Sequence, residues 1–113
     1  MAPRRFEAPG VYRLQHAGAL VVSAEAKILI DPVSQIHPTW DIRPECFPGI
    51  DAVLISHSHK DHFCLPTLLT FPRDTLFIVP RVARASMLCA DMAGLLQAAG
   101  FTRVVEPAWW EDV

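Results

Sequence analysis

Four side chains that can bind a metal ion fall within six residues of this sequence. They are His57, His59, Asp61 and His62, and they follow the apolar run at residues 52–55. Imidazole nitrogens and carboxylate oxygens are common ligands of zinc, iron and manganese. The density of these donors predicts a metal centre. The alternative is a solvated polar loop at a strand end, in which several of the five histidines of the chain happen to cluster.

The spacing of these donors suggests how they would be arranged. In an extended segment, residues two apart project to the same side, so His57, His59 and Asp61 would share one side. A turn at Lys60 and Asp61 would then bring His62 beside Asp61. The result would be two adjacent pairs of donors, an arrangement that suits two metal ions lying close together.

Residues 57–62 match a His-x-His-x-Asp-His signature and resemble the metallo-β-lactamase-fold hydrolase superfamily. The run Lys-Ile-Leu-Ile-Asp-Pro at 27–32 is similar to the superfamily strand that ends in an acidic residue near the site. Residues 14–22 resemble the opening hairpin of the branch that includes ascorbate-6-phosphate lactonase-like and N-acylphosphatidylethanolamine phospholipase D-like proteins. The likeness covers residues 12–106 and implies an α/β fold, the N-terminal half of an αβ/βα sandwich.

The resemblance implies a role for each donor of the signature. His57 and His59 would bind a first metal, and Asp61 and His62 would bind a second. One or two Zn²⁺ ions are the expected cofactor, with Mn²⁺ or iron as alternatives. Asp61 is also the catalytic candidate, because the matching residue of the superfamily can orient the attacking water.

Two residues outside the signature are further candidates for the site. Asp31 would fix a ligand imidazole or the backbone of the signature by hydrogen bonds. The alternative for Asp31 is a plain turn residue ahead of Pro32, since aspartate favours such positions. His16 lies at the turn of the opening hairpin and would stand near the substrate pocket, or would be an exposed histidine without a role in the site.

The superfamily completes its two metal sites with two further histidines and a bridging aspartate from later in the chain, and no histidine follows His62 here. Three explanations are open: a fragment of a longer enzyme, which we favour, a subunit whose partner chain supplies the second half, or a degenerate half-domain. Residues 1–10 are expected to be a flexible segment and residues 11–113 a partial domain that lacks its second half. The isolated 113 residues are expected to be inactive.

The implied function of the complete protein is metal-dependent hydrolysis of a small molecule at an ester, lactone or phosphodiester bond, with water activated by the metal. Two alternatives stay open. The same signature serves di-iron redox enzymes of the superfamily, and the ligand types alone do not choose between zinc and iron chemistry. A half-domain without turnover could instead act as a binding or assembly module.

Composition excludes several other classes of protein. Hydrophobic residues make up 51% of the chain, yet no apolar run approaches the roughly 20 residues of a membrane helix. The polar N-terminus lacks the apolar core of a secretory signal, so a cytoplasmic location is expected. A net charge of −2 argues against a nucleic-acid surface. Three widely spaced cysteines define no disulfide framework, and Cys64 is expected to pack beneath the signature loop.

Hydrophobic pattern and turn residues predict an antiparallel meander followed by a β-α-β-α-β segment. The four prolines of residues 32–49 predict a long irregular loop between these two parts. Gly100 is the expected C-terminal cap of the longest helix. The predicted strands are residues 11–15, 19–24, 28–30, 52–56, 76–79 and 103–106, and the predicted helices are residues 66–70 and 84–99.

Overall fold

The computed structural model describes residues 8–33, 49–82 and 89–108. Its main element is a mixed sheet of six strands that lie side by side in chain order. Two helices lie in the connections that follow the fourth and fifth strands. The strands are β1 (Gly10–Arg13), β2 (Ala19–Val22), β3 (Lys27–Ile30), β4 (Ala52–Leu54), β5 (Leu76–Ile78) and β6 (Arg103–Val105), and the helices are α1 (Leu65–Leu68) and α2 (Met92–Ala98).

The first three strands form the predicted antiparallel meander. Tyr12 pairs with Leu20, and Leu20 pairs with Leu29, so a single line of residues crosses all three strands. In β2, Leu20 and Val22 are buried, while the alternate residues Ala19 and Val21 are only partly buried. This alternation is typical of an antiparallel sheet with one face toward the core.

The sheet changes from antiparallel to parallel between β3 and β4, and it stays parallel through β5 and β6. Leu29, Val53 and Phe77 follow one another across the parallel part, and all three are fully buried. Strands covered on both faces are expected to be apolar throughout, as β4 is. The connection pattern from β4 to β6 is the predicted β-α-β-α-β segment, which confirms the fold class.

Helix α1 begins as predicted, with Pro66 in its first turn, where the missing N–H costs little. Helix α2 is shorter than the predicted helix at residues 84–99. Residues 83–88 lie outside the described part of the chain, and residues 89–91 are not helical. Asp91 caps the helix instead, because its Oδ1 accepts the N–H of Gly94 at 3.1 Å.

Glycine at position 94 leaves room for the Asp91 carboxylate in its observed position. A β-carbon there would lie 2.4 Å from Oδ2 of Asp91, which is closer than any real contact allows. At the other end of α2, Gly100 has a φ of +100°, the left-handed conformation expected of a C-terminal cap. The predicted capping role of Gly100 is thus confirmed, and the position of Gly94 has a packing reason that the helical pattern alone does not reveal.

One apolar core joins the sheet, the two helices and the segments between them. Phe77 at the centre of β5 packs edge-on against Phe101, with ring centroids 4.7 Å apart. Leu68 of α1 and Leu96 of α2 are both fully buried in the same cluster. Burial of this kind supplies the main stabilisation of a small domain and holds the strand ends at fixed positions.

Several predictions fall on residues that the structure does not describe. The flexible segment at 1–10 is described only from residue 8, and the proline-rich loop only at residues 32–33 and 49. Strands β1, β2, β4, β5 and β6 end one or two residues before their predicted ends. Neither helix in the described part of the chain has the length or the apolar character that crossing a bilayer requires.

Candidate metal centre

The site lies where β3 and β4 end, at one edge of the parallel part of the sheet. Ile30 of β3 pairs with Leu54 of β4, so the residues that follow the two strands emerge side by side. The N–H of Asp31 donates to the carbonyl of Leu54 at 3.0 Å, which extends the pairing by one bond. Side chains placed just beyond the carboxyl ends of parallel strands face the crevice where α/β folds commonly bind ligands.

The signature loop, residues 57–62, connects β4 to the segment before α1 and folds back on itself. The N–H groups of His62 and Phe63 both donate to the carbonyl of His59, at 2.9 and 2.7 Å. This turn returns His62 to His57, and their ring centroids lie 4.0 Å apart. Phe63 is buried in the core and anchors the end of the loop.

Asp31 is the buried centre of the site, with only 4% of its surface exposed. Its Oδ1 accepts the N–H of Ser56 at 2.7 Å, and its Oδ2 accepts the hydroxyl of Ser56 at 2.5 Å. The same Oδ2 lies 2.9 Å from Nδ1 of His62. A carboxylate only accepts hydrogen bonds, so Nδ1 of His62 carries the proton and Nε2 keeps a lone pair.

Ser56 extends this arrangement to a second imidazole. Its hydroxyl has one hydrogen, which is donated to Asp31, so the 2.8 Å contact with Nδ1 of His57 requires the imidazole to donate. His57, like His62, is therefore left with a lone pair on Nε2. We call these four residues, Asp31, Ser56, His57 and His62, the Asp31 network.

The Asp31 network contains one predicted site residue that contacts an imidazole and one residue that was not predicted. Asp31 contacts both the imidazole of His62 and the backbone N–H of Ser56. Its role in fixing metal ligands stays a prediction. Ser56 was not among the predicted site residues. The signal that could have found it is a hydroxyl side chain placed directly before the first histidine, where a strand ends.

Asp61 and His16 form a second, more exposed arrangement, which we call the Asp61 pair. Nε2 of His16 lies 2.9 Å from Oδ2 of Asp61, and the exposed fractions of the two side chains are 37% and 45%. The hydrogen bond from His16 lowers the pKa of the Asp61 carboxyl from its ordinary value. The same Oδ2 is 3.8 Å from Nε2 of His62, so the pair faces the free nitrogen of that ring.

The turn between β1 and β2 delivers His16 to this position. His16 has a φ of +57°, a left-handed conformation that histidine adopts more readily than most residues. Gly18 packs tightly beneath the turn, since a β-carbon there would lie 3.1 Å from the carbonyl oxygen of Gln15 and 3.3 Å from that of Asp31. The close approach of this turn to Asp31 brings the hairpin against the signature loop.

Of the two predicted pairs, Asp61 and His62 fall in the same group of donors, whereas His57 and His59 do not share a group among the described residues. Two sets of three donors have ligand atoms within 4.8 Å of one another: His16, Asp61 and His62 form one, and Asp31, His57 and His62 form the other. Within the described residues His59 belongs to neither set. Its ring is exposed and stands edge-on to His57, with centroids 4.8 Å apart.

Neighbouring residues hold the loop from outside. The hydroxyl of Ser58 accepts the N–H of Ala90 at 3.2 Å, which ties the loop to the segment that leads into α2. Cys64 is buried and its sulfur accepts the hydroxyl of Thr67 at 3.4 Å. Packing of Cys64 beneath the loop agrees with the interpretation of this cysteine as a structural residue.

Comparisons with known proteins agree with this architecture. Residues 26–113 match the family model described as the β-lactamase superfamily domain. A UPF0173 metal-dependent hydrolase of Desulfitobacterium hafniense is 40% identical over 47 residues, a region that covers 42% of this chain and 20% of that protein. The chain thus spans about a fifth of the length of this relative.

Two solved structures share the fold. CmlA, a diiron β-hydroxylase from Streptomyces venezuelae, is similar with a TM-score of 0.67 and 28% identity, over 89% of this chain and 21% of that one. An isothiocyanate hydrolase from Delia radicum gut bacteria has a TM-score of 0.63 and 21% identity, over 87% of this chain and 41% of that one. The second likeness concerns the fold alone.

Proposed function

Because the chain belongs to the β-lactamase superfamily domain family, we propose that it carries metal ligands of a metal-dependent hydrolase. The substrate would be a small molecule with an ester, lactone or phosphodiester bond. The observation that carries the proposal is the geometry of two imidazoles, since His57 and His62 both have Nδ1 engaged in the Asp31 network, which in the neutral rings leaves the lone pair on Nε2. The carboxylate of Asp61 stands beside the free nitrogen of His62.

The donor set fits a divalent transition metal. Imidazole and carboxylate donors suit zinc, manganese and iron, with Zn²⁺ as the expected ion, one or two per protein. The proposed ligands are His57, His59, Asp61 and His62. When bound, such an ion would lower the pKa of a coordinated water to about 7 and would polarise the oxygen of the scissile bond.

The chain's own residues would prepare the site before any metal binds. Asp31 and Ser56 hold two imidazoles in the tautomer and orientation that present Nε2, so little reorganisation is needed. The lowered pKa of Asp61 keeps its carboxylate ionised near neutral pH. An ionised Asp61 can accept a hydrogen bond from the attacking water and orient it, which is the catalytic role we propose for this residue.

Further donors are part of the proposal. The chain spans about a fifth of the curated relative, and we propose that a second half of the domain, from later residues or from a partner chain, completes a two-metal site. In that case the 113 residues alone are inactive in turnover. Substrate specificity would also depend on that second half, because Asp61 and His16 are exposed to solvent in the described part of the chain.

A di-iron oxidation catalyst is the second candidate function. It is favoured by the likeness to the diiron β-hydroxylase CmlA, which extends over 89% of this chain. The same imidazole and carboxylate donors are also ligands of iron. An inactive half-domain with a binding or assembly role is the third alternative.

Metal analysis and activity assays together test these proposals. The longest polypeptide encoded by the reading frame would be stripped with a chelator and reloaded with Zn²⁺, Mn²⁺ or Fe²⁺. Hydrolysis of a p-nitrophenyl ester, a lactone and bis(p-nitrophenyl) phosphate would then be measured, together with oxygen consumption. Metal-dependent hydrolysis supports the hydrolase. Iron binding with oxygen uptake and no hydrolysis would replace it with the oxidation catalyst.

A further inference from the structure

The donors nearest to one another in the exposed part of the site come from two distant segments of the chain. His16 is in the β1–β2 turn, whereas Asp61 and His62 end the signature loop, and their ligand atoms lie within 4.8 Å of one another. We propose that these three residues form a mononuclear metal site that the 113-residue chain completes by itself. The inference rests on the proposed function in one respect, namely that the signature loop binds a divalent metal.

The distances between the donor atoms fit a single ion. Bonds of about 2.0–2.2 Å to nitrogen and oxygen, at angles between 90° and 110°, place two donors of one ion about 3.0–3.4 Å apart. Nε2 of His16 and Oδ2 of Asp61 are 2.9 Å apart, and Nε2 of His62 is 3.8 Å from the same oxygen. Rotations of the two exposed side chains would bring all three atoms into that range.

The other three-donor set is Asp31, His57 and His62, and its carboxylate already accepts hydrogen bonds within the protein. Both oxygens of Asp31 accept bonds from Ser56, and Oδ2 also accepts from His62. An ion bound to Asp31 would displace hydrogen bonds to a carboxylate that is 4% exposed and would leave their buried donors unpaired, which is unfavourable. Asp61 is open to solvent, and the side-chain hydrogen bond that it would give up is the one with His16.

The local backbone also favours a functional role for His16. Its φ of +57° lies in the left-handed region, which costs most residues free energy and concentrates at functional sites. Gly18 beneath the turn allows the close approach to Asp31 that places the imidazole over the signature loop. His62 is held from the opposite side by Asp31, so two of the three donors have fixed positions.

The chemistry of the set defines the class of ion. Two imidazoles and one carboxylate with open positions are the ligands of catalytic zinc and of mononuclear non-haem iron(II). The expected ligand is therefore one Zn²⁺, Fe²⁺ or Co²⁺ ion per chain, with the remaining positions left for water or substrate. His59, which the family pattern assigns to a metal, would take no part in this site.

Cobalt(II) provides a direct test on the 113-residue chain. Isothermal titration and visible absorption would measure Co²⁺ affinity, and proton NMR would count the hyperfine-shifted, exchangeable N–H signals of coordinated imidazoles. The wild type should bind one ion with two such signals. His16→Asn should weaken binding at least tenfold and remove one signal, while asparagine still tolerates the left-handed backbone. His59→Asn separates this site from the family pattern of ligands: if His16, Asp61 and His62 bind the ion in the 113-residue chain, the variant retains both signals and binds within threefold of wild type.

Each outcome bears on the inference. Loss of one imidazole signal in His16→Asn, with circular dichroism unchanged, supports it. Two signals retained in His16→Asn, or lost in His59→Asn, would overturn it and favour the family pattern of ligands. A wild-type chain that binds no Co²⁺ would also overturn it, whereas the proposed function would then be decided separately by the longer polypeptide. If His16→Asn is unfolded, the same NMR count in His16→Gln decides the question.

Discussion

The Asp31 network and the Asp61 pair meet at His62, yet they differ sharply in burial. Asp31 is 4% exposed and accepts hydrogen bonds from a backbone amide, a hydroxyl and an imidazole. The side chain of Asp61 is 45% exposed, and its side-chain hydrogen bond is with His16. The same residue type therefore serves two purposes in one site. The buried carboxylate organises the fold around the imidazoles, and the exposed one remains available for a metal or a water.

Removal of the Asp31 carboxylate should have the largest effect on stability. Asp31→Ala leaves the amide of Ser56 and Nδ1 of His62 without an acceptor in a nearly buried position. We expect a loss of about 3 kcal/mol in the free energy of unfolding. Urea denaturation followed by tryptophan fluorescence and circular dichroism would measure it. A loss below about 1 kcal/mol would show that the two carboxylates do not differ as described.

Replacement of the exposed carboxylate of Asp61 should reduce turnover strongly and stability very little. Asp61→Asn keeps the size of the side chain and removes its charge at a solvent-exposed position. We expect turnover by the metal-loaded longer polypeptide to fall about a hundredfold, the scale of a lost proton acceptor. The free energy of unfolding should stay almost unchanged, because the side chain is exposed. Normal hydrolysis by the variant would rule out the proposed catalytic role.

Ser56→Ala tests whether the hydroxyl of Ser56 sets the tautomer of His57. The variant removes the hydroxyl between Asp31 and His57, and a loss of about 1–2 kcal/mol in stability is expected. Nitrogen-15 NMR of the ring nitrogens should show His57 leaving the Nδ1-protonated tautomer, while His62 keeps it. Ser58→Ala is the matched control, because its hydroxyl contacts Ala90 rather than an imidazole. An unchanged His57 tautomer in Ser56→Ala would show that the hydroxyl of Ser56 does not set the protonation of Nδ1.

The smallest expected effect concerns the protonation of Asp61. The hydrogen bond from His16 lowers its pKa, so His16→Asn should raise it towards the ordinary value of 3.8. Because the folded pKa is lowered, the contribution of this bond to stability is present above the unfolded pKa and is lost as the pH falls through the folded one. Carbon-13 NMR titration of the carboxyl in both proteins would measure the difference. Equal pKa values would mean that the pair is not formed in solution.

Much of the fold was predictable because local pattern and tertiary packing agree in the strands. The meander and the β-α-β-α-β order follow from apolar runs separated by turn residues, and the structure confirms both. The start of α2 was not predictable in the same way. Residues 89–91 have helix-compatible side chains, but Asp91 caps the helix and Ser58 binds the amide of Ala90. The second of these contacts comes from a segment more than thirty residues away and leaves no local trace.

The candidate site was also predictable only in part. His57, His59, Asp61 and His62 are recognisable from their types and spacing, because few structural needs place four metal donors in six residues. Asp31 is recognisable as an acidic residue at a strand end. Which of these residues touch one another is a matter of sheet order. The parallel pairing of β3 with β4 places Asp31 beside Ser56, although they are 25 residues apart in the chain.

The sequence by itself determined the donor types, the class of metal they suit, and the alternation of strands and helices that carries them. Only the tertiary structure decided that His16 joins Asp61, that Ser56 connects Asp31 to His57, and that His59 stands apart in the described region. The physical reason is the range of the interactions. Hydrophobic periodicity acts within a few residues, whereas a hydrogen bond forms wherever the packed sheet and its turns bring a donor within about 3 Å of an acceptor.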